Sequence, residues 1–174
     1  MDITDIAELS LTNKEVTSIK DVIASLVKHK DDTEWSAKTT HFAIDHIKEF
    51  ENEYSGGCVK GLLGKEHFLN IVLPFHGHME DFTTGILLFP DNVSVKEALE
   101  YYKKPDPRYT KSCFDYILLL KDQIKNKGFT SEIIIELFDG KLRHIDGLHS
   151  MIALSLLLED SYEYKPIPVY ILIR

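Results

Sequence analysis

The chain has little of what marks extracellular, fibrous or disordered proteins. Only 2 of its 174 residues are cysteines, which is too few for a disulfide framework and favours a reducing compartment. It has 9 glycines and 6 prolines, and 44% of its residues are hydrophobic, values typical of an ordinary globular protein. A length of 174 residues suits one main domain with a helical extension. We therefore expect one principal core.

The sequence also lacks a long apolar run and an excess of positive charge. Its longest apolar run, from Met151 to Leu158, is interrupted by Ser155 and is too short to cross a bilayer. The first five residues lack the basic flank and apolar stretch of a signal peptide. The net charge of −8 argues against a broad nucleic-acid surface. These absences predict a cytoplasmic protein with neither a membrane nor nucleic acid as its main partner.

Residues 1–80 are predicted to form an acidic helical extension with linking strands. The stretch Thr12-Asn13-Lys14-Glu15 has the form of a capping box, and apolar residues then recur at helical spacing, which predicts a helix over 13–29. A second helix is expected over 36–53, ended by Gly56-Gly57. Twelve acidic and six basic side chains over 1–55 make this helical pair acidic.

Strands and helices alternate in the rest of the chain. Ser94-Val95-Lys96-Glu97 is a second capping box, and Asp139-Gly140 between β-branched runs is a two-residue hairpin signal. The predicted elements are strands at 68–73 and 85–89, helices from Ser94 to Tyr102 and over 112–127 with Gly128 following, strands at 133–138 and 141–145, a buried helix over 151–158 and a closing strand at 166–173.

The stretch Asp146-Gly147-Leu148-His149-Ser150, which joins the hairpin to the buried helix, is the candidate site. The first N–H groups of a helix have no intrahelical partner and suit a phosphate or carboxylate. Gly147 permits a positive φ, His149 can donate to a phosphate or carry a proton, Ser150 offers a hydroxyl, and Asp146 can hold a metal ion. The alternative interpretation is a common Asp-Gly turn in which His149 is an ordinary helix residue.

The order of elements around this turn resembles the ParB/sulfiredoxin-like superfamily over residues 85–174, in particular the branch with an Asp-Gly-His-His-Arg motif that includes free serine kinases. The resemblance implies a mixed α/β fold, a small sheet with packed helices, preceded here by the acidic helical segment. It also implies that the motif binds the phosphates of ATP or CTP. We expect Mg²⁺ to bridge these phosphates, which a chain of net charge −8 would otherwise repel. Asp146, Gly147 and His149 then take the places of the Asp, the Gly and the second His.

Two positions depart from the family motif. Leu148 replaces the first His, and Ser150 replaces the Arg that in relatives meets a phosphate. Loss of that charged donor weakens phosphate binding by roughly 1.5 to 3 kcal/mol if nothing substitutes for it. Arg143 and Arg108 are the candidates in the sequence for supplying the missing charge.

The resemblance implies an ATP-dependent phosphotransferase acting on a small molecule, either a kinase or a nucleotide hydrolase. Such a kinase needs a carboxylate to take the proton of the substrate hydroxyl, and Asp91 and Asp106 are the candidates. One alternative is a non-enzymatic interaction module that binds a protein partner through the acidic N-terminal helices. A third is a ParB-type nucleic-acid-associated protein, which is disfavoured because the sequence ends directly after the closing strand without a helix-turn-helix.

His76-Gly77-His78 with Asp81 is a second candidate cluster. Histidines at i and i+2 of an extended segment face the same side and can bind a divalent metal. Exposed loop histidines without a ligand are the alternative.

Overall fold

The computed structural model describes residues 11–29, 34–74, 90–103 and 111–174. The strands are β1 (Leu11–Thr17), β2 (Gly57–Leu63), β3 (Val72–Leu73), β4 (Val93–Ser94), β5 (Ile133–Phe138), β6 (Lys141–Asp146) and β7 (Ile167–Ile173). The helices are α1 (Ile19–His29), α2 (Glu34–Glu49), α3 (Lys65–Leu69), α4 (Val95–Lys103), α5 (Lys111–Lys127) and α6 (Leu148–Glu159), with a 3₁₀ turn at Glu51–Glu53.

The described strands form one mixed sheet in the order β1-β2-β7-β5-β6-β3-β4. The pairs β5–β7 and β6–β3 are parallel, and the other neighbours are antiparallel. The predicted α/β class is confirmed. Strand β2 pairs along its whole length with β7, so segments far apart in sequence share the same sheet.

Successive side chains of β5 point to opposite faces of the sheet, and helices cover both faces. Ile133 and Ile135 belong to a core built with α3, α4, α5 and α6. Ile134, between them, belongs to a second core with α1 and α2. The molecule therefore has three layers, with β5 and β7 near the centre of the middle one.

The N-terminal elements differ from the prediction of a helix over 13–29. Residues 11–17 pair with β2 as an edge strand, with an irregularity between Thr12 and Glu15. The helix begins only at Ile19, where the capping contact is between Ser18 and Asp21, with 2.6 Å from Oγ to Oδ2. The prediction was wrong here because backbone pairing with β2 overrides a local capping pattern.

The predicted strand over 68–73 was wrong in its first half. Phe68 and Leu69 end helix α3, and only Val72 and Leu73 form a strand. The apolar run over 68–73 is thus divided between the end of α3 and strand β3. Phe68 and Ile71 are both fully buried in this arrangement. The predicted second helix ends earlier, at Glu49, and the predicted strand at 85–89 lies outside the described residues.

The C-terminal predictions are confirmed. Asp139 and Gly140 make the hairpin turn with φ of 52° and 70°, the combination of positive φ values that two-residue hairpins favour. Ser94 and Glu97 form the capping box at the start of α4. Gly128 has φ of 80° after α5.

None of the helices in the described part of the chain has the length and apolar character of a membrane span.

Candidate functional site

The β6–α6 turn follows the C-terminal end of β6, beside the start of β5. Asp146 is paired with Ile134, whereas His144 is paired with Ile135, so Ile145 is an extra residue in β6. A bulge of this kind bends a strand and changes the direction of its side chains. The bulge therefore sets the orientation of the turn that follows.

Gly147 is required at this turn by its conformation and by close packing. Its φ is +99°, a region that residues with a Cβ rarely adopt. A Cβ built on Gly147 would lie 2.7 Å from Cγ2 of Ile133. Glycine thus lets helix α6 start in contact with β5.

The N-terminus of α6 has donors to offer. Among the described residues, no side chain caps this end. The N–H of Met151 donates to the Gly147 carbonyl at 3.0 Å, so the N–H groups of Leu148, His149 and Ser150 precede the first intrahelical hydrogen bond. This end of the helix can therefore bind an anion.

Asp146 is a carboxyl group in a poorly solvated position. Burial raises its pKa to about 6, and a hydrogen bond from the Gly147 backbone opposes the rise. A carboxyl with this pKa takes up a proton under mildly acidic conditions. The group can serve as a carboxylate ligand or as a proton carrier close to neutral pH.

Two imidazoles lie near the turn. The ring of His149, which is partly buried, meets the ring of Tyr116 edge-on, with 5.6 Å between centroids. Nε2 of His144 is buried and has no hydrogen-bond partner among the described residues. Burial, with smaller effects of His149 and His46, lowers the pKa of His144 to about 3. Sequence reasoning gave His144 no role here, although it lies only two residues before Asp146.

Leu148 and Ser150 face the protein interior. Leu148 packs in the core on the α5 side of the sheet. Ser150 is buried, and its Oγ lies 3.3 Å from Oγ of Ser131. Of the five residues of the motif, Asp146, Gly147 and His149 are therefore the partly exposed ones.

The structure does not bring Arg143 to this turn. Its guanidinium lies 5.3 Å from the ring of Phe138, and Phe138 pairs with Lys141 beside the hairpin turn. That is the end of β6 opposite to Asp146. The predicted compensation of the missing motif arginine by Arg143 is therefore absent from this arrangement.

The predicted catalytic carboxylates are not assembled beside Asp146 among the described residues. Asp91 is exposed and accepts hydrogen bonds from the backbone and side chain of Asn92, both at 2.9 Å. It precedes β4, and strand β3 lies between β4 and β6 in the sheet. Asp106 and Arg108 lie outside the described residues.

The candidate metal cluster His76, His78 and Asp81 also lies outside the described residues. Within residues 11–29, 34–74, 90–103 and 111–174, no group of three or more His, Cys, Asp or Glu side chains is arranged to hold a metal ion. A single carboxylate such as Asp146 is nevertheless compatible with Mg²⁺, which takes one or two protein carboxylates together with substrate phosphates.

Comparison with models of protein families, with curated proteins and with solved structures finds no match for this chain.

We predict that Gly147→Ala destabilises the fold more than Gly140→Ala. Both glycines have positive φ, so each substitution carries a backbone cost of about 1 to 2 kcal/mol. A Cβ at Gly140 meets nothing within 4 Å, whereas one at Gly147 overlaps Ile133 and adds about 1 to 3 kcal/mol. Urea denaturation of both variants measures the difference. Equal destabilisation would contradict the close contact between α6 and β5.

We also predict a pH-dependent stabilisation by Asp146→Asn. The folded-state pKa of about 6 exceeds the ordinary value of 3.8. As the pH rises between these values, the unfolded chain loses its proton first, so the wild type loses stability by up to about 3 kcal/mol. The Asn variant lacks this loss. Its unfolding free energy relative to wild type should therefore rise between pH 4.5 and 7.5.

Asp115→Asn, at an exposed position on α5, is the matched control. Urea denaturation at both pH values should give it a constant difference from wild type. If the Asp146→Asn difference were equally constant, the raised pKa of Asp146 would be refuted.

Proposed function

We propose that the chain is a nucleotide-binding protein of the ParB/sulfiredoxin-like type that transfers a phosphoryl group from ATP to a small molecule. The observation that supports this most directly is the left-handed Gly147. Gly147 is the residue that precedes α6, and no side chain of the described residues caps this helix end between Asp146 and His149.

The donors at this turn suit a phosphate. Backbone N–H groups of Leu148, His149 and Ser150 lie at the positive end of the α6 dipole, where an anion is stabilised. The imidazole of His149 can donate to a phosphate oxygen or carry a proton. These groups would orient the phosphates without a formal positive charge on the motif itself.

Asp146 fits a magnesium ligand in this scheme. When bound, Mg²⁺ neutralises the phosphate charge that develops during transfer. The raised pKa of Asp146 reflects its poorly solvated position. A nearby cation would lower that pKa and favour the ionised carboxylate.

Weak nucleotide binding is expected. Ser150 is buried and no arginine is available at the described turn, since the Arg143 guanidinium lies beside Phe138. A missing contribution of about 1.5 to 3 kcal/mol corresponds to roughly 10- to 150-fold weaker binding. Millimolar nucleotide concentrations are therefore appropriate for the test.

An interaction module is the second candidate. Phe42 on α2 and Val27 on α1 are 66% and 56% exposed, although both helices belong to the acidic N-terminal segment. Apolar side chains left exposed on two neighbouring helices are available to contact a protein partner, and a contiguous patch of them marks such a site. This observation favours the binding role that the sequence left as an alternative.

We predict that ATP with Mg²⁺ raises the melting temperature of the wild type and that His149→Gln reduces the rise. Ligand binding to the native state alone stabilises it by mass action, and His149 is the partly exposed imidazole at the turn. His41→Gln is the matched control, because His41 is exposed on α2 and far from the turn in sequence. Thermal shift with ATP, CTP and ADP, each with and without Mg²⁺, gives the nucleotide and metal dependence.

Formation of ADP in the presence of small hydroxyl compounds measures the transfer step. No thermal shift with any of the nucleotides at millimolar concentration would contradict nucleotide binding and leave the interaction module. A shift that is equal in wild type and His149→Gln would place the nucleotide away from the β6–α6 turn.

A further inference from the structure

Arg143 is a partly exposed side chain with a buried, unpaired Nε on the α2 side of the sheet. That Nε has no hydrogen-bond partner among the described residues, and the two terminal nitrogens of Arg143 are not among the buried unpaired atoms. The guanidinium is held against the ring of Phe138 at 5.3 Å. A guanidinium fixed by such packing loses less side-chain freedom when it binds a ligand.

The carboxylate that faces Arg143 across the strands is engaged elsewhere. Glu136 pairs with Arg143 in the β5–β6 register, so the two side chains start on the same face. Oε2 of Glu136, however, lies 3.5 Å from Nε2 of His46, 3.4 Å from the Tyr54 hydroxyl and 3.9 Å from the Arg174 guanidinium. Among the described residues, no carboxylate forms an ion pair with Arg143.

The neighbouring arginine shows how a guanidinium is satisfied in the same place. The guanidinium of Arg174 lies 4.4 Å from the centroid of the same Phe138 ring, and it has both aromatic and acidic partners. Its Nε donates to Glu53 at 2.7 Å, and its guanidinium stacks on Phe50 at 3.9 Å. Arg143 has the aromatic contact without the acidic one.

We propose that Arg143 is the anchor of an oxyanion-binding site on the α2 side of the sheet, beside the β5–β6 hairpin turn, and that it takes a carboxylate or phosphate group of a small ligand. The accessible nitrogens of a guanidinium bind such a group with two parallel hydrogen bonds. The site is separate from the β6–α6 turn, because it lies at the opposite end of β6.

The test is a titration of ¹⁵N-labelled protein with inorganic phosphate, and separately with acetate, at constant ionic strength kept with NaCl. The Nε–Hε resonance of Arg143 is the reporter, since its nitrogen is buried and protected from solvent. We expect a saturable shift of this resonance and of the Phe138 and Lys141 amides. The Arg174 Nε–Hε resonance, already bonded to Glu53, should move little. The two titrants show which oxyanion is preferred.

Substitutions make the result specific. Arg143→Gln should abolish the saturable shifts at Phe138 and Lys141, and Arg143→Lys should weaken binding on the order of tenfold, because a single ammonium cannot form the two parallel bonds. Lys141→Gln is the control, since Lys141 is an exposed cation on the same strand. Unchanged amides of Gly147 and His149 in each variant confirm that the fold is kept.

Three results would overturn the proposal. One is an Arg143 resonance that moves only linearly with the anion, as it would with NaCl. Another is a saturable shift at Phe138 that persists in Arg143→Gln. A third is a saturable shift at Gly147 and His149 alone, which would support the α6 turn as the only anion site detected and leave the proposed nucleotide binding intact.

Discussion

Burial of β5 on both faces is the constraint on which the rest of the structure depends. The strand pairs with β6 on one side and β7 on the other, and its residues from Ile133 to Leu137 are all buried. Each face then needs a covering layer, which the α1–α2 pair provides on one side and α5 with α6 on the other. The position of both candidate sites follows, since each lies at one end of the β5–β6 pair.

Such a strand can carry a polar side chain only if its hydrogen bonds are satisfied. Glu136 meets this condition by accepting a hydrogen bond from the Tyr54 hydroxyl at 3.4 Å, and His46 Nε2 and the Arg174 guanidinium lie within ion-pair distance of the same carboxylate oxygen. Burial alone would raise the pKa of Glu136, but these partners outweigh it and hold the pKa below the ordinary value. Asp146, whose only local support is the Gly147 backbone, has its pKa raised instead. The partners of Glu136 thus favour its anion, whereas burial favours the protonated form of Asp146.

The two ends of β6 offer different chemistry to an anion. At the α6 end the donors are backbone amides and a helix dipole, which favour a phosphate enclosed by the main chain. At the hairpin end the donor is a guanidinium packed on Phe138, which favours a planar or tetrahedral oxyanion in a bidentate arrangement. Among the described residues, Arg143 does not supply an arginine to the α6 turn, because its guanidinium packs at the far end of the strand.

The sequence by itself determined the elements whose signals are local. The Asp139–Gly140 hairpin, the Ser94 capping box, the end of α5 at Gly128 and the buried helix after Gly147 follow from turn chemistry and from the period of the apolar residues, and each is present. The Asp-Gly turn was also predicted as a helix entry, and Gly147 adopts there the positive φ that a glycine permits.

Tertiary structure alone decided which segments pair and where the terminal groups of long side chains lie. Residues 11–17 became a strand because β2 offered a free edge, which no local propensity reveals. Arg143 was placed near Asp146 by sequence distance, but its guanidinium packs against the ring of Phe138, beside the hairpin turn at the other end of β6. Glu136, His46, Tyr54 and Arg174 are brought together from four separate segments of the chain. Contacts over such separations depend on packing that a one-dimensional pattern does not contain.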